Sequence, residues 1–293
     1  MAIVASSRIE KDSGAFKFLK QQLTPSHTSQ LAIVIFDAWR DGWGSDTGRS
    51  VSKMESYVRS LGFNANSIKL RMLFDPRCPI KLSGPKIGNL TVSEVESAGF
   101  VLFVGGNGQA LLQAAYSTAG VSVIEAIAAA IADPSRFFII QSWSAGSTCL
   151  GQDTHHSRDK EKELVCSLNK FKGTQIEMGF QFFGCSFTPH IKERDLPSWV
   201  NVLSLRCKNL KPIIPITDGC VLVMRRDGPA SIVTENDRVL DKQLRCLEVF
   251  RKALGLAPYC NLVPDHAVCI DCIKRKARLA LGPARKVELP PQG

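Results

Sequence analysis

The sequence predicts an α/β fold, a three-layer sandwich in which helices cover both faces of a mostly parallel sheet. Short apolar runs alternate along the chain with segments of helical period. The central runs, Phe100–Val104 and Phe137–Ile140, are apolar at every position, as expected for strands buried on both faces. With 293 residues, 44% of them hydrophobic and 22% charged, the chain can bury a core of this size.

The first third of the chain is predicted to hold three strands and two helices. Thr91-Val-Ser-Glu94 has the spacing of a capping box, which marks the start of another helix. Gly62 is predicted to end the second helix in the C′ position. The strands are Ala2–Ala5, Leu31–Phe36 and Ser67–Leu73; the helices carry Phe16, Leu19 and Leu23, then Val51, Met54, Val58 and Leu61.

The remaining elements continue this alternation up to residue 257. After Pro258 the composition changes to Cys, Pro, Lys and Arg, so we predict an α/β domain over residues 1–257 and a basic tail over 258–293. Helices are predicted over Gln109–Tyr116, Val121–Ile131 and Leu240–Leu254; strands are predicted at Phe180–Phe187, Pro212–Ile216, Val221–Met224 and Ser231–Val233, with a hairpin turn at Asp227-Gly228.

Composition indicates which cellular compartment and which classes of partner to expect. The longest apolar stretch, Val121–Ala132, contains Glu125 and is shorter than the roughly 18 residues of a membrane helix, so no membrane association is expected. The first residues lack the apolar core of an export signal, and the ten cysteines are then expected to be thiols in a reducing cytoplasm. The tail supplies half of the net charge of +10, and the rest of the chain is only mildly basic, so charge does not favour nucleic acid as a partner. The oligomeric state stays open.

The segment Ser142-Trp143-Ser144-Ala145-Gly146 follows a buried strand and has the form of a nucleophile elbow. A sharp strand-to-helix turn lifts the Ser144 hydroxyl clear of the sheet. The next amide, that of Ala145, then lies at a helix N-terminus, where it can stabilise an oxyanion. The alternative is that Ser144 is an ordinary N-cap residue.

A second strand end carries Gly105-Gly106-Asn107, whose backbone amides can approach a substrate closely. The alternative is a tight turn between a strand and a helix. A nucleophilic serine needs a base, and His190 follows a predicted strand at the same rim of the sheet. Asp153 and Asp159 both lie between Ser144 and His190 and are candidates for the acid that orients the base.

These motifs, in this order, resemble the dipeptidase E (aspartyl dipeptidase) and cyanophycinase family of serine peptidases. Trp143–Gly146 matches the dipeptidase E nucleophile motif, and Thr188-Pro189-His190 is similar to its Asn-Pro-His segment, whose His is the base. Asp218-Gly219 resembles a Glu-Gly pair of the family. The triad acid of dipeptidase E follows the nucleophile by a short loop, which favours Asp159 over Asp153. Ser142 and Gly108 depart from the family's Gly and Thr.

The resemblance implies a class I glutamine amidotransferase-like (flavodoxin-like) fold that needs no metal or cofactor. It implies an intracellular serine peptidase with the triad Ser144, His190 and Asp159. Its substrates would be short peptides cleaved at Asp or β-aspartyl linkages, by exopeptidase or omega-peptidase action. Gly105, Gly106, Asn107 and Ala145 would bind the oxyanion and the substrate.

Two alternative interpretations of the sequence depend on other features. The departures at Ser142 and Gly108 are compatible with an inactive member of the fold that binds a small ligand or regulates another protein. In the tail, Cys260, His266, Cys269 and Cys272 include a C-x2-C pair, which is half of a common zinc site. We expect the cysteines to be free thiols instead, because the spacing before this pair matches no zinc module.

Overall fold

A nine-stranded sheet runs through the part of the chain that the structure, a computed structural model, describes. Its strands are β1 (Ala2–Ser6), β2 (Leu31–Phe36), β3 (Ile68–Met72), β4 (Gly88–Asn89), β5 (Ala98–Phe103), β6 (Ile139–Trp143), β11 (Cys220–Arg225), β12 (Gly228–Thr234) and β13 (Arg285–Glu288). Two small sheets pair β7 (Asp153–Thr154) with β8 (Glu177–Met178) and β9 (Ser186–Pro189) with β10 (Ile213–Ile216).

The helices lie between these strands in sequence. They are α1 (Gly14–Gln22), α2 (Pro25–Thr28), α3 (Thr47–Ser60), α4 (Val92–Ser97), α5 (Gly108–Ala115), α6 (Thr118–Ala132), α7 (Ala145–Leu150) and α8 (Asp237–Ala253). The described residues are 2–6, 9, 13–36, 47–73, 87–105, 108–115, 118–151, 153–154, 177–180, 182, 185–197, 199–200, 213–225, 228–253 and 285–288.

The large sheet is mostly parallel, as predicted. Its strand order is β13-β12-β11-β1-β6-β5-β2-β3-β4. The six strands from β1 to β4 in that order pair in parallel, whereas β11, β12 and β13 form an antiparallel extension at one edge. The carboxyl ends of β5 and β6 therefore meet at one rim of the sheet, where open α/β folds hold their active sites.

Neighbouring residues of β6 show that helices cover both faces. The Trp143 ring packs against Tyr57 of α3 at 4.8 Å between ring centroids. The Ser142 hydroxyl lies 3.0 Å from the Ser147 hydroxyl of α7. Because consecutive side chains of a strand point to opposite faces, α3 and α7 lie on opposite sides of the sheet. This confirms the predicted α/β sandwich of three layers.

Several local signals in the sequence mark the elements that they predict. Every side chain of β5 is buried, as expected for a strand covered on both faces. The capping box at α4 is confirmed: the Thr91 hydroxyl accepts from the Glu94 amide, and the Glu94 carboxylate accepts from the Thr91 amide. Gly62 has φ of +113°, which is the left-handed conformation expected after a helix end.

The prediction of one strand over Phe180–Phe187 is wrong. Residues 180 and 182 lie outside any strand, and β9 begins only at Ser186. The Phe180 and Phe182 amides donate instead to the Cys149 and Leu150 carbonyls, at 2.7 and 3.2 Å. Both carbonyls lie in the last turn of α7, where they have no partner within the helix, so capping that helix outweighs the β propensity of the aromatic run.

The boundary predicted at residue 257 stays a prediction. Strand β13 lies beyond it and pairs with β12 in antiparallel register, from Ser231 opposite Glu288 to Thr234 opposite Arg285. The cysteine and histidine residues of the tail lie outside the described residues. Among the helices within the described ranges, none is both long enough and apolar enough to cross a membrane.

Candidate active site

The turn from β6 into α7 holds Ser144 in a strained backbone conformation, with φ of 49° and ψ of −119°. Residues other than glycine rarely adopt a positive φ, and the conformation recurs at functional sites. Ser144 occupies the N-cap position of α7, but its hydroxyl makes no capping hydrogen bond. The geometry is therefore that of a nucleophile elbow and not of an ordinary N-cap serine.

Two glycines let the elbow lie close to β5. A Cβ on Gly105 would come within 2.6 Å of the Ser144 Cβ and 3.1 Å of the Trp143 carbonyl oxygen. A Cβ on Gly146 would come within 2.6 Å of the Phe103 carbonyl oxygen. Atoms are not tolerated at these separations, so a side chain at either position would displace the elbow. Gly105 thus contributes to the site by its lack of a side chain.

A buried cluster of serines ties the elbow to β1. The Ser144 amide donates to the Ser6 carbonyl at 3.0 Å. The Ser147 hydroxyl accepts from the Ser6 amide at 3.1 Å and donates to the Ser6 carbonyl at 2.7 Å. Since that hydroxyl has one proton, the Ser142 hydroxyl is the donor in their 3.0 Å contact. This hydrogen bond gives a structural role to Ser142, at the position where the family that the sequence resembles has glycine.

His190 lies at the carboxyl end of β9 and reaches the elbow across 46 residues of sequence. Its Nε2 atom lies 2.9 Å from the Ser144 Oγ. Its backbone is also left-handed, with φ of 61°. The imidazole and the alcohol predicted to share one rim therefore lie within hydrogen-bond distance, as a nucleophile and its base require.

Asp218 contacts the other nitrogen of the same imidazole. Its Oδ1 atom lies 2.6 Å from His190 Nδ1. An ionised carboxylate only accepts hydrogen bonds, so Nδ1 carries the proton and Nε2 is left to accept from the Ser144 hydroxyl. Asp218 lies in the turn between β10 and β11, where the Cys220 amide donates to the Thr217 carbonyl at 3.1 Å. Gly219, with φ of +80°, completes that turn.

The structure brings some of the predicted residues together and leaves others undescribed. Ser144, His190, Gly105 and Ala145 lie at one rim, with Ala145 as the first residue of α7. Asp153 begins the short strand β7, where it pairs with Met178. The preferred acid Asp159 lies outside the described residues, as do Gly106 and Asn107.

Sequence reasoning did not select Asp218 as an acid, although a signal for it was available. Asp218-Gly219 follows a predicted strand, Pro212–Ile216, in the same way that the serine and the histidine follow theirs. The separation along the chain from Ser144 favours Asp159 and does not reveal this position at a strand end. Parallel strands bring their carboxyl ends to one rim whatever the sequence separation, so a strand end is the local signal for Asp218.

The cysteines that the structure describes do not compete with Ser144 as nucleophiles. Cys149, Cys185, Cys220 and Cys246 are all buried. Burial raises the pKa of Cys185 to about 12 and the pKa of Cys246 to about 11, which keeps both thiols protonated at neutral pH. Cys149 points its Sγ toward the Gly108 carbonyl, at 3.5 Å.

Comparison with known proteins gives the family. A sequence model of peptidase family S51 matches residues 73–232, which is more than half of the chain. The chain belongs to peptidase family S51. The matched range contains Ser144, His190 and Asp218, so all three members of the hydrogen-bonded chain lie within the S51 region.

Solved structures agree on the fold. The crystal structure of a peptidase from an acI-B1 Actinobacterium superimposes with a TM-score of 0.51 at 14% sequence identity, covering 80% of this chain and 87% of that one. At that identity the similarity supports the S51 α/β fold alone. A search of curated proteins finds no match.

Proposed function

We propose that this S51 protein is a serine peptidase that works through a triad of Ser144, His190 and Asp218. The observation that carries the proposal is the continuous chain of hydrogen bonds, 2.6 Å from Asp218 to His190 and 2.9 Å from His190 to Ser144. Each contact is within the range required for proton transfer or for orientation of the base. The positive φ at both Ser144 and His190 supports it, because such strain is retained where function requires it.

The proposed reaction follows the general serine-hydrolase sequence. The Ser144 Oγ attacks the scissile carbonyl while its proton passes to His190 Nε2. Asp218 accepts from Nδ1–H and stabilises the imidazolium that forms. His190 then donates the proton to the leaving amine. Water, activated by the same imidazole, hydrolyses the acyl-enzyme and restores the serine hydroxyl.

The oxyanion of the tetrahedral intermediate needs donors on the side facing Gly105. The amide of Ala145 opens α7 and has no partner within that helix, so it is one proposed donor. An amide of Gly106 or Asn107 is the other. Each such donor contributes roughly 3 kcal/mol to transition-state stabilisation.

We propose Asp218 as the triad acid in place of Asp159. Asp218 already accepts from the His190 ring, and its turn is held by a backbone hydrogen bond on each side. The resemblance that favoured Asp159 rested on its separation from Ser144 along the chain. A carboxylate at Nδ1 is what fixes the tautomer, and one carboxylate there is sufficient.

For substrates we propose short peptides with an acidic residue at the cleavage site, as Asp-X dipeptides or β-aspartyl peptides. Support comes from the dipeptidase E and cyanophycinase resemblance, in a class I glutamine amidotransferase-like fold. Lys192 and Arg194 follow the base closely in sequence and are candidate partners for an acidic side chain. The buried thiols fit the reducing cytoplasm that we propose as the location.

The alternative of an inactive binding protein loses its main support at Ser142. That residue departs from the family's glycine, but its hydroxyl bonds to Ser147 inside the serine cluster and leaves the elbow intact. The contact between Ser144 and His190 is also what catalysis needs and what ligand binding alone does not need. We therefore favour the enzyme.

Turnover of a peptide panel tests the proposal. Purified protein is assayed against Asp-X dipeptides and β-aspartyl peptides beside Ser144→Ala, Asp218→Asn, Asp159→Asn and Asp153→Asn. Ser144→Ala is expected to abolish turnover, and Asp218→Asn to lower kcat by roughly 10³–10⁴-fold because the base loses its tautomer. Asp159→Asn and Asp153→Asn are expected to match the wild type.

Two outcomes would change the account. Equal turnover by Ser144→Ala and the wild type would remove Ser144 from the mechanism. Loss of turnover in Asp159→Asn, with full turnover in Asp218→Asn, would assign the role of the acid to Asp159. In either case the fold and the S51 membership would stand.

A further inference from the structure

A buried glutamine of α8 holds the chain just before Asp218. Gln243 of α8 is 2% exposed. Its Oε1 accepts from the Thr217 amide at 2.8 Å, and its Nε2 donates to the Pro215 carbonyl at 2.6 Å. Both polar ends of one side chain thus bind the backbone on either side of Ile216, the last residue of β10.

These two bonds close the open edge of β10. On its other edge β10 pairs with β9, and beyond the ladder the Ile216 carbonyl accepts from the Ile191 amide at 3.2 Å. Backbone groups of successive residues in a strand point to alternate edges, so the Pro215 carbonyl and the Thr217 amide face away from β9. The Gln243 amide bonds to them as a peptide unit of a neighbouring strand would.

The position of the Asp218 carboxylate depends on this backbone. Its side chain is 57% exposed, so burial alone does not fix it. The turn holds its backbone: the Cys220 amide donates to the Thr217 carbonyl and the Glu235 amide donates to the Gly219 carbonyl, at 3.1 and 3.3 Å. Gln243 anchors the first residue of that turn, and β9 carries His190 alongside.

We infer that Gln243 is a positioning residue of the active site: it holds Asp218 at the distance that orients the His190 imidazole toward Ser144. The inference rests on the proposed function. It adds a residue that lies outside the range matched by the S51 model, residues 73–232, and that touches neither substrate nor the reacting atoms. Removing the amide moves the carboxylate, and the imidazole then loses its preferred tautomer and orientation.

The test uses the full chain with Gln243→Met and Gln243→Glu. Methionine keeps the volume and removes both hydrogen bonds; glutamate keeps the acceptor for the Thr217 amide and places an oxygen against the Pro215 carbonyl. Leu247→Ala, one turn further along the same buried face of α8, is the matched control for lost stability. The readout is the rate at which a fluorophosphonate labels Ser144, which needs no knowledge of the substrate.

We expect Gln243→Met to slow labelling by about 10–100-fold, as misplacement of a catalytic group by about 1 Å does. The downfield proton signal of the His190 Nδ1–H is expected to weaken. In an Asp218→Asn background the Gln243 substitution should cost nothing further, because both act on one group. Leu247→Ala should leave the labelling rate and the His190 proton signal at wild-type values.

Several results would overturn the inference. Labelling of Gln243→Met no slower than that of Leu247→Ala would do so, and so would losses that multiply in the Asp218→Asn background. Failure of both Gln243 variants to fold would show that the amide serves the fold and not the triad. Failure of the proposed function would give a different result: the folded wild type would carry no adduct on Ser144, or Asp218→Asn would be labelled as fast as the wild type.

Discussion

At the residue scale, the strained backbones at Ser144 and His190 are held by their neighbours. Within the described part of the chain these are the two residues other than glycine with a positive φ. Each such conformation costs about 1–3 kcal/mol locally, so it persists only where the surroundings impose it. At Ser144 the surroundings are the Ser6 carbonyl on one side and Gly105 on the other.

Gly105→Ala is expected to lower kcat/KM by about 10²-fold, because its Cβ would come within 2.6 Å of the Ser144 Cβ and push the nucleophile out of line. Gly88→Ala is the matched control, since the nearest atom to a Cβ there is the flexible end of Arg71 at 3.6 Å. Steady-state kinetics on both proteins measure the effect. Wild-type activity in Gly105→Ala would contradict the close contact.

Ser142→Ala is expected to reduce the free energy of unfolding by about 1 kcal/mol, since it removes the buried hydrogen bond to Ser147. Ser142→Gly should lose roughly 0.5–1 kcal/mol more, because glycine in a strand has greater backbone entropy to lose. Urea denaturation measures both changes. Stabilisation by the family's glycine would show that the serine cluster contributes nothing to the fold.

At the element scale, the chain places its chemistry where strands end and uses ion pairs elsewhere for stability. The Arg71 guanidinium of β3 donates to the Glu94 carboxylate of α4 through Nε, at 2.8 and 2.9 Å, and through a second nitrogen. Glu94 also belongs to the capping box of that helix. These hydrogen bonds, first those from Arg71, hold the pKa of Glu94 below its usual range.

Glu94→Gln is expected to lower the free energy of unfolding by about 1 kcal/mol at neutral pH, the upper range for a partly exposed ion pair. Because the folded-state pKa of Glu94 is lowered, the wild type keeps this advantage above the unfolded pKa, roughly 4.3, and loses it as the pH falls through the folded value. Denaturation curves of the two proteins, measured at pH values from about 3 to 7, are therefore expected to give free energies of unfolding that converge in acid. A difference that is independent of pH would contradict the assignment.

At the scale of the whole molecule, the candidate site lies on one large hydrophobic core and borders a small second cluster on the side of β9 and β10. Ser144 extends from the large sheet, whose core includes Phe100 and Phe103. β9 and β10, which carry His190 and Asp218, contribute Phe187, Ile214 and Ile216 to the same core. They also lie beside a small second cluster of Ile191, Trp199, Ile213, Cys246 and Phe250. The distance between Ser144 and His190 is therefore expected to depend on the packing of the small cluster as well as on that of the core.

Phe250→Leu is expected to lower kcat more than Phe63→Leu, although each should cost about 1 kcal/mol of stability. Phe250 packs against Trp199 in the small cluster at 5.7 Å between centroids, whereas Phe63 packs against Phe100 at the far end of β5, at 5.2 Å. Kinetics at a temperature well below unfolding make the comparison. Equal loss of kcat in the two variants would mean that the clusters move as one body.

The sequence predicted most of this architecture because buried parallel strands leave a strong local signal. Leu31–Phe36 is a strand with the bounds predicted for it, and Ser144 and His190 were found from the strand ends that they follow. Contacts between distant segments leave no local signal. The aromatic run at Phe180 caps α7, and Gln243 reads in sequence as one more polar residue of an amphipathic helix.

The central claim is that Ser144 is a nucleophile activated by His190 and oriented by Asp218. It is tested most directly by fluorophosphonate labelling of the full chain, followed by mass spectrometry of the intact protein and its peptides. We expect one adduct, on Ser144, absent in Ser144→Ala, formed about 10³-fold more slowly in Asp218→Asn and at the wild-type rate in Asp159→Asn. No adduct on the folded wild type, or an adduct whose rate ignores Asp218→Asn, would contradict it.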